Sequence, residues 1–240
     1  ILSNVNIIAS TGFHKLVFYP QEHWINKFDA DKLFEIFLSE IDVGMFVDCD
    51  IKPPFNKIDS KAGIIKTASD YFGIEGRYEL LFEVASEVAK KSGASILCHT
   101  EMGKHALKIA EFFLKKGISP ESIIICHLDR VLDDVDYILD VANTGVFLEF
   151  DTIGRFKYHS DEVEARFLHY MVEKGFEDRI LIGLDTTNER LKSYGGQIGL
   201  DHIINQFIPL LKTIGLDDSV IQKFVYDNPM KALSIKRSNA

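Results

Sequence analysis

Four side chains stand out because each sits at or near the end of a short apolar run and can bind a metal or carry a proton. Lys66 lies inside Gly63-Ile64-Ile65-Lys66-Thr67-Ala68, His99 follows Leu97-Cys98, His127 follows Ile125-Cys126, and Asp185 follows Ile182-Gly183-Leu184. An ammonium inside an apolar strand is costly to bury, so Lys66 must be paired, neutral or modified. Three chemistries meet that demand. The lysine reaches solvent or a carboxylate, serves as a Schiff-base amine, or takes up CO2 as a carbamate able to bridge two metal ions. Neutral imidazole suits zinc and its neighbours. Two histidines on adjacent strands, beside a strand ending in lysine, therefore point toward metal more than either would alone. Asp185 completes the set, although an aspartate there also reads as a helix N-cap.

The elements that must position these groups follow from periodicity. Short β-branched runs at 4–10, 62–68, 95–100, 122–129, 145–151 and 179–185 alternate with amphipathic stretches near 29–43, 76–91, 104–115, 132–143, 161–174, 200–213 and 217–226. In the stretch 78–89, Leu80, Leu81, Val84, Val88 and Ala89 form one stripe, while Glu79, Glu83, Glu87 and Lys90 face water. Strands this continuously apolar are covered on both faces, which implies a parallel sheet with helical crossovers. An open doubly wound sheet and a closed (β/α)8 TIM barrel both satisfy that. Chemically capable residues at nearly every strand end favour the barrel, whose strand ends converge on one mouth. No Gly-x-Gly-x-x-Gly opens a helix to favour the other. Six β–α units are countable where closure needs eight. The chain also opens abruptly at Ile1-Leu2, so the expectation is a single α/β domain over 1–240 with the first two units upstream.

Composition narrows the partners. Among 240 residues, 46% are hydrophobic and 26% charged, with 27 Lys and Arg against 36 Asp and Glu, a net charge of −9. Nucleic acid and anionic membranes want a cationic surface, and no apolar run is long enough to span a bilayer. Three cysteines, two of them (Cys98, Cys126) in strand-like runs, fit reduced thiols and a cytoplasmic location.

Taken together, several segments resemble the phosphotriesterase-like family of the amidohydrolase superfamily over essentially the whole chain. They are Ile7-Ile8-Ala9-Ser10-Thr11-Gly12-Phe13, Lys61-Ala62-Gly63-Ile64-Ile65-Lys66, Cys98-His99-Thr100-Glu101, Cys126-His127, Asp133-Asp134-Val135-Asp136-Tyr137, Gly183-Leu184-Asp185 and Asp227-Asn228-Pro229-Met230-Lys231-Ala232-Leu233. The resemblance implies a metal-dependent hydrolase with two divalent ions, zinc being the expected metal. It makes Lys66 the carbamylated bridging ligand, His99 and His127 ligands of one ion, and Asp185 both ligand of the other and proton acceptor. Two cations sharing a water lower its pKa toward ~7 and polarise the scissile carbonyl or phosphoryl oxygen. The family's His-x-His pair on the first strand does not occur here, since the eight histidines are at 14, 23, 99, 105, 127, 159, 169 and 202. One metal site is thus incomplete within this chain.

For substrate, the resemblance implies a lactone, and in one branch a phosphorylated sugar lactone. Lys157, Arg190 and Tyr194, in the loops after the last two strands, would form a clamp for a small anionic substrate. Phe13, His14, Phe18, Tyr19 and Trp24 either line the mouth or simply pack the first βα loop. Two other readings stand beside the lactonase: a Schiff-base lyase of aldolase type using Lys66, and a truncated, non-catalytic relic. A homodimer is compatible with the sequence.

Overall fold

The computed structural model describes residues 5–47, 49 and 53–237. Six strands, β1 (Ser10–Gly12), β2 (Ile64–Ala68), β3 (Ile96–His99), β4 (Ile123–Ile125), β5 (Phe147–Phe150) and β6 (Ile180–Ile182), pair in parallel in sequential order. Among the described residues, nine α-helices accompany them: α1 (Trp24–Lys27), α2 (Ala30–Asp42), α3 (Arg77–Ser92), α4 (Ala106–Lys115), α5 (Val135–Asn143), α6 (Asp161–Glu173), α7 (Ile208–Ile214), α8 (Asp218–Gln222) and α9 (Asn228–Leu233). The regular β–α alternation and sequential parallel order are consistent with a barrel. Among the described residues, none of the helices is long and apolar enough to cross a membrane.

The helices start and stop where their side chains dictate. Asp29, Asp134, Ser160 and Asp217 cap α2, α5, α6 and α8, each side chain accepting from a backbone N–H in the first turn. Gly93 ends α3 in the left-handed conformation, with φ +76°. The expected stripe of α3 is buried, with Leu80 at its half-exposed margin, and Phe82 and Ala85 widen it. Two expected helices are not simple. Residues Ile203–Phe207 and Lys223–Asp227 form wide π turns leading into α7 and α9. Pro209 and Pro229 follow within two residues and supply no N–H to close an ordinary α turn.

Strand alternation explains how the sheet carries both a core and a site. One face, including Ile65, Ile96, Cys98, Ile123, Ile125, Leu148, Phe150 and Ile180, packs into the main hydrophobic core with the helices. On the other, Ile64, Ile124, Phe147 and Leu181 form a smaller cluster, joined by Leu97 and closed by Ala232 and Leu233 of the α9 segment. Two residues further along each strand from that cluster come Lys66, His99, Cys126, Glu149 and Gly183. The apolar floor and the polar layer above it are consecutive turns of the same period.

The run 4–10 departs from expectation. Its strand is confined to Ser10–Gly12, while Val5 and Ile7 are 70% and 84% exposed. Among the described residues β1 pairs with β2 alone, so the residues just before it have no second strand beside them. Phe13 and Trp24 are buried in the main core and pack the loop after β1 instead of lining the mouth. Cys98 and Cys126 are buried thiols outside any disulfide.

Candidate active site

The structure brings His99 and His127 into contact. His99 Nδ1 and His127 Nε2 are 2.6 Å apart, with ring centroids separated by 4.5 Å. His127 Nδ1 lies 2.6 Å from Asp151 Oδ1, and its backbone N–H donates to Asp151 Oδ2 at 3.2 Å. With Nδ1 engaged by Asp151, Nε2 is the nitrogen that faces His99. His99 Nε2 is buried without a hydrogen-bond partner, 3.5 Å from Glu101 Oε2. Lys15 Nζ lies 2.6 Å from the same Glu101 oxygen, and the His14 ring lies 5.0 Å from that of His99.

Burial sets the charge of these rings. Desolvation, reinforced by His127 and Lys66, pushes His99 down to about 2. His127 is lowered to about 4 by burial and the neighbouring Arg130, and His14 to about 4 by burial and Lys66. All three are therefore neutral at pH 7 and present lone pairs, as metal ligation requires. Lys66, half-buried on β2, feels burial most. The surrounding Cys126, Glu149, Cys98 and Asp151 outweigh it and hold the amine above its ordinary pKa. Beside it, burial and Asp151 push Glu149 up to about 7.

Asp185 approaches one of the two histidines: a ligand atom of each of His127, Asp151 and Asp185 lies within 4.8 Å of the others. Its Oδ2 also accepts from Arg130 Nη2 at 2.6 Å and from Arg155 Nη1. Both guanidiniums lie over the Tyr158 ring, with centroid distances of 5.0 and 5.6 Å. Arg190 Nη1 donates to the carbonyls of Leu184 and Asp185. Burial and the nearby Arg155 lower its pKa, and its buried Nη2 has no partner. His127 and Asp185 share an unusual backbone, with φ of +66° and +41°. Left-handed non-glycine residues cost about 1–3 kcal/mol each and persist where surrounding structure imposes them.

Arg155, Lys157 and Arg190 line one cavity of about 580 Å³ between the loops after β5 and β6. Tyr194 is 67% exposed and stands outside that lining. Four residues that sequence reasoning did not assign join the site: Asp151, Arg130, Arg155 and Glu149. Glu149 and Asp151 end a strand, which is a usable signal. Arg155 lies one residue from Phe156-Lys157 in a loop already singled out. Arg130 carries no periodic signal and is found only in three dimensions.

Residues 2–233 match the Phosphotriesterase family. A phospho-furanose lactonase of Mycoplasmopsis synoviae is 33% identical over 237 residues, spanning 95% of this chain and 67% of the relative. A solved amidohydrolase from Mycoplasma synoviae superposes with TM-score 0.90 at 31% identity, covering 97% of this chain and 68% of the other. The phosphotriesterase homology protein of Escherichia coli, solved with phosphate in its active site, gives TM-score 0.84 at 25% identity, covering 96% and 75%. This chain belongs to the phosphotriesterase family of hydrolases.

Proposed function

We propose that the protein hydrolyses a phosphorylated five-membered sugar lactone with the help of bound divalent metal, within a (β/α)8 barrel of which this chain supplies six units. The observation that carries the reading is the juxtaposition at one sheet end of a neutral histidine pair with a guanidinium-lined cavity.

The donor set fits one ion well. His99 Nδ1 and His127 Nε2 are turned toward each other, 2.6 Å apart and buried. Lys66, as carbamate, would complete that set, and Asp185 would serve the second ion. When bound, the metals would lower the pKa of a water and polarise the lactone carbonyl. The chain's own groups do the rest. Arg190 and Lys157 hold the phosphate, and Arg155 lines the same cavity. Arg130 and Arg155 occupy Asp185 Oδ2 and leave Oδ1 to accept the proton of the attacking water. As the carbonyl carbon gains the water oxygen and loses the ring oxygen, that proton passes to the departing alkoxide. The product is the open-chain phosphorylated hydroxy acid.

The test is lactone hydrolysis by the purified protein with added Zn2+. Turnover of a phosphorylated furanose lactone, lost to a chelator and restored by Zn2+, supports the reading. Activity indifferent to chelation, with borohydride trapping a substrate on Lys66, would replace it with the lyase.

A further inference from the structure

A second cluster lies behind the loop after β5, apart from the histidine pair. Asp129 and Glu164 both have zero exposure. Asp129 Oδ1 and both Glu164 oxygens are buried with no donor from another group, the two carboxyls lying within hydrogen-bonding reach of each other. Among the described residues no lysine or arginine forms an ion pair with either. Asp129 Oδ2 accepts from Thr152 N–H, so only Oδ1 is left facing inward. His159 joins them: its Nε2 lies 3.1 Å from Thr152 Oγ1, and Nδ1 lies 3.8 Å from Glu164 Oε2 and 3.2 Å from Ser160 O.

Buried carboxylates without donors demand a compensating positive charge. One ligand atom from each of Asp129, His159 and Glu164 falls within 4.8 Å of the others. A single ion with bonds of about 2.0–2.4 Å can span that spread. We propose that these three residues hold a divalent first-row cation that pins the loop after β5. Two carboxylate oxygens and an imidazole nitrogen are a donor set for zinc or manganese. The site ties Asp129, just after β4, to Glu164 in α6 and to His159 at the end of the loop bearing Arg155 and Lys157. Gly154 N–H, donated to Asp161 Oδ1 at 2.7 Å, anchors the same loop independently. The ion would be structural, holding two cavity-lining cations in place.

The experiment is Zn2+ content by elemental analysis after loading and dialysis, with thermal unfolding measured with and without chelator. Glu164→Gln keeps the shape and removes the charge. It should carry about one zinc fewer than the wild type and lose part of the chelator-induced drop in Tm. With His99→Ala and His127→Ala both present, about one zinc should remain, and adding Glu164→Gln should remove it. This background separates the site from the hydrolase reading, which concerns the other histidines. If Glu164→Gln fails to fold, His159→Gln gives the same readout at a less buried position. Equal zinc and equal chelator sensitivity in wild type and variant would overturn the site and leave a shared proton as the neutralising charge.

Discussion

The mouth of the sheet has two halves of opposite character. At the ends of β3 and β4, His99 and His127 form, with Asp151 just after β5, a buried chain of short contacts in which burial keeps the imidazoles neutral. Around β5 and β6, Arg155 and Arg190, joined by Arg130 from the loop after β4, crowd Asp185 and its backbone, with Lys157 in the cavity that Arg155 and Arg190 line. The first half offers lone pairs and wants a cation, whereas the second offers donors and wants an anion. Asp185 is the seam, within ligand distance of His127 and bonded to two guanidiniums. An acidic protein of net charge −9 can thereby bring a cation and an anionic substrate together, because local fields in a cleft outweigh the distant net charge.

The strongest way to break this division is to remove a histidine. His99→Ala or His127→Ala should release the metal and lower kcat/KM about 10³-fold, the counterpart of ~4 kcal/mol of transition-state stabilisation. Elemental analysis beside the assay checks it, and wild-type metal content in both variants would remove the histidine half from the chemistry. Next in size is Arg190→Ala, expected to cost about 100-fold in kcat/KM for a phosphorylated lactone and only a few-fold for its unphosphorylated counterpart, since a forked charge-assisted contact is lost from one substrate alone. Equal losses would make Arg190 a prop for the Leu184 and Asp185 carbonyls. Asp151→Asn tests how the histidine half is aligned. Losing the carboxylate on His127 Nδ1 should weaken metal affinity roughly 10–100-fold, read by chelator competition. Unchanged affinity would mean the backbone at φ +66° suffices to aim the ring.

Much of the histidine half was legible before any coordinates. Lys66, His99, His127 and Asp185 stand at or near strand ends, and period-2 alternation stacks such residues above an apolar floor. The guanidinium half was only partly visible. Lys157 and Arg190 share a cavity as expected, but loops have no period, so nothing tied Arg130 or Arg155 to Asp185 across 55 and 30 residues. Tyr194 illustrates the same limit: its place beside Arg190 in sequence did not carry it into the lining. The apolar run at 4–10 reads like a central strand because hydrophobicity reports potential neighbours, not the number of strands that lie beside it. Phe13 and Trp24 could be read as lining the mouth or packing their loop, and they fill the core, since large aromatics next to a strand gain more from burial than from exposure.

The smallest expected effect sharpens the comparison without any mutation. Contacts in the cavity between the loops after β5 and β6 are partly open to solvent, and screening shortens the reach of such charges to about 4–5 Å at 0.5 M ionic strength. Ligation between His99 and His127 is buried and involves neutral rings, so salt has little hold on it. Raising ionic strength from about 0.05 to 0.5 M should therefore raise KM for a phosphorylated lactone roughly two- to threefold. The dissociation constant for Zn2+, measured by chelator competition in the same buffers, should stay flat by comparison. If metal affinity falls in step with KM, the two halves do not act as separate sites. Asp185, shared by both, would then couple substrate capture to metal occupancy.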